Sequence, residues 1–124
     1  MRGFESLADA RYVSLGTFRK DGTRVDTPMW FVLRDDRMVI RTGAASAKIK
    51  RIRNNERVTI APCTPSGKVT GPMVEARAKV LPESEVAWVE GQIKARYGLM
   101  KALVDAFNGL RGVGPHAGIE VTPR

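Results

Sequence analysis

The cleanest alternation of apolar and polar positions lies at Val74–Val80. Val74, Ala76, Ala78 and Val80 fall on one side, and Glu75, Arg77 and Lys79 fall on the other. A period of two describes a strand with one face in a core and one in water. Residues 12–19, rich in Val, Leu, Thr and Phe, predict a second strand. Lys20-Asp21-Gly22 ends it, because Asp-Gly suits the positive φ of a tight hairpin, and residues 24–33 predict the return strand. Pro28 within that strand cannot donate to a ladder, so it marks an edge, a bulge or a point where a ligand meets the backbone. A polar turn at residues 34–37 leads to a strand at 38–42. Further strands are predicted at 58–64, where Pro62 breaks the end, and at 117–122.

Between the third and fourth strands the period changes. Ser46 is placed to cap a short helix from Ala47 to about Asn54, with Ile49 and Ile52 on its inner side. Pro82 opens a helical stretch to about Tyr97, with Glu83 and Glu85 in its first turn, where the helix dipole favours them. Val86, Val89, Ile93 and Tyr97 share one stripe. After Gly98, the residues Leu99, Leu103, Phe107 and Leu110 form a second helical stripe, and residues 109–118 read as a glycine-rich loop. The order predicts a mainly β fold: a small antiparallel barrel of about six strands. A short helix follows strand three, two helices precede the last strand, and one domain spans residues 1–124.

Composition narrows the chemistry. The 124 residues carry a net charge of +8, which favours anionic partners: a phosphorylated or polycarboxylate ligand, nucleic acid, or an acidic membrane surface. One cysteine, Cys63, excludes an internal disulfide, and its place at a strand end suits a small buried hydrophobe. One histidine, His116, excludes mechanisms that use a histidine pair; with nothing to orient it, it reads as a surface residue in a loop. The longest apolar run, residues 29–33, is far short of a membrane span. Residues 1–10 carry Glu5 and Asp9 and no apolar segment of the secretory kind, so the expectation is a soluble cytoplasmic protein.

Two glycine motifs fail on context. Ser66-Gly67-Lys68 lacks the first glycine and the final Ser or Thr of a P-loop, whose places hold Pro62 and Val69. Residues 112–117 spell G-x-G-x-x-A, but a helix precedes the string and a strand follows it, the reverse of a dinucleotide fingerprint. Residues 41–57 carry Arg41, Lys48, Lys50, Arg51, Arg53 and Arg57 against Glu56 alone. Two readings stand equally there. One is a solvated basic helix face. The other is an anion site in which helix N–H groups, the Ser46 hydroxyl and the Lys48 ammonium converge. Nucleic-acid binding would need aromatics interleaved with the basic residues, and the basic helix has none.

Thr42-Gly43-Ala44-Ala45-Ser46-Ala47-Lys48, followed by Arg53-Asn54-Asn55-Glu56-Arg57-Val58, resembles the pyridoxamine 5'-phosphate oxidase superfamily of split-barrel flavin and deazaflavin binders. The 17–23 hairpin, the 27–31 strand and the closing 119–123 segment resemble it as well, so the likeness covers about residues 10–124. It is nearest the branch described as coenzyme F420-dependent. The resemblance implies a homodimer with shared sites that binds F420, or alternatively FMN, and transfers hydride to or from a small organic substrate. It implies a ring lying along Pro28, Met29 and Trp30. Thr42, Ser46 and Lys48 would form the phosphate cradle, Lys50 and Arg53 would reach a ligand tail, and Gly67 and Lys68 would close over the ligand. Ala47 stands where FMN-binding oxidases of the family often carry Arg, which removes a bidentate phosphate donor. The C-terminal residues 120–124 lack the substrate pattern of the vitamin-B6 oxidases. A cofactor- or nucleic-acid-binding module without catalysis is the remaining alternative.

Overall fold

A computed structural model of the chain describes residues 4, 7, 10–34, 37–98 and 116–123. Seven strands form one antiparallel sheet: β1 (Tyr12–Phe18), β2 (Arg24–Met29), β3 (Phe31–Arg34), β4 (Arg37–Gly43), β5 (Arg57–Cys63), β6 (Val74–Val80) and β7 (His116–Pro123). Helix α1 (Ala47–Asn54) follows β4. A 3-10 turn (Glu83–Glu85) and helix α2 (Val86–Tyr97) follow β6. The predicted second helix at residues 99–110 lies outside the described residues.

The sheet order is β2-β1-β5-β6-β7-β4-β3. Its two edge strands, β2 and β3, are separated in the chain by Trp30 alone. The chain therefore passes from one edge of the sheet to the other within one residue, and the sheet must curl into a split barrel to allow it. This corrects the expected strand count: the run at 24–33 is two strands with different partners, β1 on one side of Trp30 and β4 on the other. Pro28 falls on edge strand β2, where a missing N–H disturbs no second ladder. Pro62 does not end its strand. It pairs with Val13 of β1, and β6 pairs with β5 only as far as Ile60, so no β6 carbonyl waits for the absent donor.

The inner face is the principal core. Val13, Leu15, Phe31, Met38, Ile40, Val58, Ile60, Ala76, Ala78, Ile119 and Val121 alternate inward from their strands. Helix α1 packs against β1 and β6 and adds Ile49 and Ile52 to that core. Phe4 and Leu7 are buried there too, so the opening residues contribute to the core. The outer face of β3, β4 and β7 is covered by α2, which buries Val89, Ile93 and Tyr97 against Val32 and Val39. That contact needs Gly118, where an added Cβ would lie 2.7 Å from Val89 Cγ2. The final strand begins at His116, so the end of the expected glycine-rich loop is already in the ladder, with His116 opposite Gly43.

Candidate functional site

The β3–β4 ladder ends at Phe31 and Ile40. Beyond it, at Trp30, the chain changes partner from β4 to β1, where Met29 pairs with Val13. The Arg41 guanidinium lies 6.0 Å from the Trp30 ring. Met29 packs against the inner core, as does Ala117, the ladder partner of buried Thr42. Met29 ends β2 and buried Thr42 lies one residue before the end of β4, just ahead of the turn into α1.

Ser46 occupies the N-cap position of α1, but its side chain does not cap the helix. Its Oγ lies 3.4 Å from Thr42 Oγ1 instead. The cap expected from sequence is replaced by a pair of hydroxyls, and the first α1 N–H groups receive no side-chain acceptor from Ser46. Lys48, in the first turn, is half-buried. Burial pushes its ammonium below the ordinary lysine value, and the nearby Arg51 charge pushes in the same direction. Among the described residues Lys48 has no ion pair. Two hydroxyls, free helix donors and an unpaired ammonium make a donor set suited to a phosphate.

The basic residues of α1 divide by face. Arg51, three residues after Lys48, is half-buried beside it and donates from Nε to Thr17 Oγ1 at 2.6 Å. Lys50 and Arg53 are exposed. Arg53 lies about 10 Å along the helix from Ser46 by the helical rise. It lines a separate cleft of about 420 Å³ together with Glu56 and Glu83. Helical spacing from Lys48 points to Arg51 rather than to Lys50 or Arg53, and that signal was present in the sequence.

Other expected residues fall at two further places. Gly67, with φ +98°, lies against Pro28: an added Cβ would sit 3.8 Å from its ring. The 64–68 turn is held by Gly67 N–H to Thr64 O and by Lys68 N–H to Thr64 Oγ1, and Lys68 is exposed. Trp30 stacks on Tyr97, with centroids 4.5 Å apart. Tyr97 is itself pinned: its hydroxyl accepts from Phe31 N–H and faces the carbonyls of Arg11 and Phe31. Trp30 is therefore packed on the α2 side of the strand, whereas Met29 faces the inner core.

One cluster escaped sequence reasoning. His116 is no isolated surface residue: Nδ1 lies 2.8 Å from Glu90 Oε2, and Glu90 Oε1 accepts from Arg41 Nη1 at 2.9 Å. Burial alone would raise the Glu90 carboxyl. The hydrogen bonds and charges of Arg41 and His116 outweigh it and hold the group below the usual range. Cys63 is buried at the end of β5 as expected, and burial pushes its thiol up. Among the described residues there is no cluster suited to a metal, and no helix is long and apolar enough to cross a membrane.

A curled, seven-stranded antiparallel sheet, split at Trp30 and with a basic helix at the split, defines the class of flavin-type split barrels. The chain belongs to the pyridoxamine 5'-phosphate oxidase family, whose sequence profile matches residues 4–124. No curated protein matches the sequence. Solved structures of the same fold include an F420 reductase, 22% identical, with 98% of this chain and 94% of that one covered and a TM-score of 0.63. Another is the heme storage protein HutZ from Vibrio cholerae, 15% identical, covering 94% and 83%, with a TM-score of 0.67. A FAD-binding protein from Mesorhizobium loti is 16% identical, covering 95% and 84%, with a TM-score of 0.63. At these identities the likeness is one of fold.

Proposed function

We propose that the protein is a coenzyme F420-dependent oxidoreductase that transfers hydride between the deazaflavin and a small organic substrate. The observation that carries the reading is Lys48: a half-buried ammonium without an ion pair among the described residues, at a helix start whose Ser46 hydroxyl points to Thr42. A phosphate supplies the missing counter-charge. F420 is favoured over FMN because Ala47 gives up the guanidinium that FMN-binding relatives often carry. An F420 reductase of the same fold supports the choice. The +8 charge also suits the cofactor's polyglutamate tail.

When bound, the cofactor supplies the hydride chemistry. The chain's residues bind and orient. Lys48, the hydroxyls of Thr42 and Ser46 and the α1 N–H groups hold the phosphate. Arg51, anchored on Thr17, adds positive potential beside it. Met29 and the backbone near Pro28 offer an apolar edge, and the 64–68 turn, whose Gly67 faces the Pro28 ring, shields it from water. The site is completed in a homodimer: α2 covers β3, β4 and β7, while the outer face of β2, β1 and β5 carries no described helix.

Equilibrium titration of F420 and FMN by fluorescence, each at two salt concentrations, tests the reading. The expected result is tighter binding of F420, weakening with salt as charged contacts are screened. Lys48→Ala should weaken that binding by about 1.5–3 kcal/mol, the worth of a hydrogen bond to a charged group. Tighter FMN binding moves the reading to a flavin enzyme. Unchanged affinity in Lys48→Ala removes the phosphate site from α1.

A further inference from the structure

Lys48 and Arg51 stand three positions apart on one flank of α1, the spacing at which helix side chains are neighbours. Like charges at that spacing repel, and Lys48 feels the Arg51 charge. Among the described residues no carboxylate pairs with either cation. Arg51 is also fixed in place. Its Nε donates to Thr17 Oγ1 at 2.6 Å, and Thr17 is 1% exposed, in step along β1 with the inward Val13 and Leu15. A hydroxyl buried in that apolar row needs a partner, and Arg51 is one. The bond uses Nε and leaves Nη1 and Nη2. Neither has an acceptor among the described residues, and neither is shut away from solvent. A hydrogen bond that merely docked α1 on β1 would be complete with one donor nitrogen. It accounts for neither a second cation beside Lys48 nor an open pair of donors.

The two cations differ in kind. Lys48 carries a compact ammonium that meets a phosphate as a point charge, whereas the two Nη donors of a planar guanidinium match the two oxygens of a carboxylate. Their Cα atoms are about 4.5 Å apart along the helix axis by the helical rise. Ala47, one turn before Arg51 on the same face, offers no donor. The pair therefore suits two anionic groups joined by a few bonds rather than one isolated phosphate. Resting on the F420 reading above, we infer that Arg51 is the specificity residue of the site. It takes a carboxylate of the cofactor's tail beside the phosphate on Lys48, with Thr17 as its positioning residue. A phosphate ester without a tail, such as FMN, leaves the Arg51 donors without an acceptor, so the site discriminates by the second anionic group. Lys50 and Arg53, the residues first expected at the tail, are exposed, and no hydrogen bond among the described residues fixes either side chain.

The test compares F420 with a tail-less analogue, the same deazaflavin ending in a 5'-phosphate, by fluorescence titration. The proteins are wild type, Arg51→Gln, Arg51→Lys, Thr17→Val and the double variant Thr17→Val with Arg51→Gln. Arg51→Gln should weaken F420 binding about tenfold or more, as for a lost hydrogen bond between charged groups, and leave the tail-less phosphate within about twofold. Arg51→Lys keeps the charge and loses the fork, so it should recover only part of the F420 affinity. Thr17→Val keeps the shape, removes the acceptor and should weaken F420 in the same direction. Added to Arg51→Gln, it should cost nothing more, because the two residues act as one unit. An Arg51 that served only the fold would lower both ligands alike. Equal loss for the two ligands in Arg51→Gln, no loss for F420, or full recovery in Arg51→Lys overturns the assignment and leaves the F420 reading in place. A Thr17→Val loss that persists undiminished in the double variant overturns the positioning role of Thr17. Failure of wild type to bind F420 overturns the hydride-transfer reading itself, and this inference with it.

Discussion

Lys48 and Glu90 are displaced from their ordinary ionisation in ways that carry opposite information. Burial and Arg51 disfavour the charged form of Lys48, so the fold holds that charge at a cost, which the proposed phosphate would remove. Glu90 is the reverse case. Its folded value lies below 4.5 because the bonds from Arg41 and His116 outweigh burial, so folding favours the carboxylate. That contribution is present above 4.5 and is lost as the pH falls through the lower folded value. Urea midpoints measured on both sides of pH 4.5 should show Glu90→Gln losing stability chiefly on the upper side, so that its acid limb is shallower than wild type. An unchanged acid limb would separate Glu90 from acid stability. Little of this was legible along the chain. Glu90 and His116 are 26 positions apart, and no local pattern links them.

Helical periodicity makes the inward face of α1 readable, and Ile49 and Ile52 enter the core as it predicts. The same periodicity pairs Lys48 with Arg51 at a spacing of three. Charge counting alone spreads attention to Lys50 and Arg53, which face water. The role of Ser46 was not readable, because a serine before a helix has two partners open to it. Only the position of Thr42 at the end of β4 decides between the cap and the hydroxyl pair. Helix α2 poses the complementary case, in which one glycine sets how closely an element may approach. Gly118→Ala forces a Cβ to 2.7 Å from Val89 Cγ2, so α2 must shift. A cost of about 1–3 kcal/mol is expected, as for overpacking elsewhere, measurable by denaturant unfolding. A cost near zero would mean that α2 slides freely over β7. The run at 24–33 was misread as one strand because both of its halves have strand character. The break at Trp30 is a change of partner, and partners are not written locally.

At the scale of the molecule, α2 covers β3, β4 and β7, and the outer face of β2, β1 and β5 carries no described helix. On β1 and β5 the outward positions are small, Ser14, Gly16, Thr59 and Ala61, and they are buried beneath their longer neighbours. Val69 and Met73 stand exposed beyond the end of β5. A second copy of the chain on this face would bring two basic helices to shared sites. Light scattering should give twice the 13.6 kDa chain mass at micromolar concentration. A monomer there would require each chain to complete its site alone.

The sequence by itself determined the mainly β class, the hairpin at Gly22, the inward residues of β6 and the placement and inner face of α1, while its charge gave the expectation of an anionic partner. All of these follow from periodicity, turn chemistry and charge, which act over a few neighbouring residues. Tertiary structure alone decided that the sheet splits at Trp30, that Ser46 turns to Thr42 rather than capping α1, that Arg51 is anchored on Thr17, and that His116 is held by Glu90. These depend on closing loops of tens of residues, and the register that results is set by the whole buried face together.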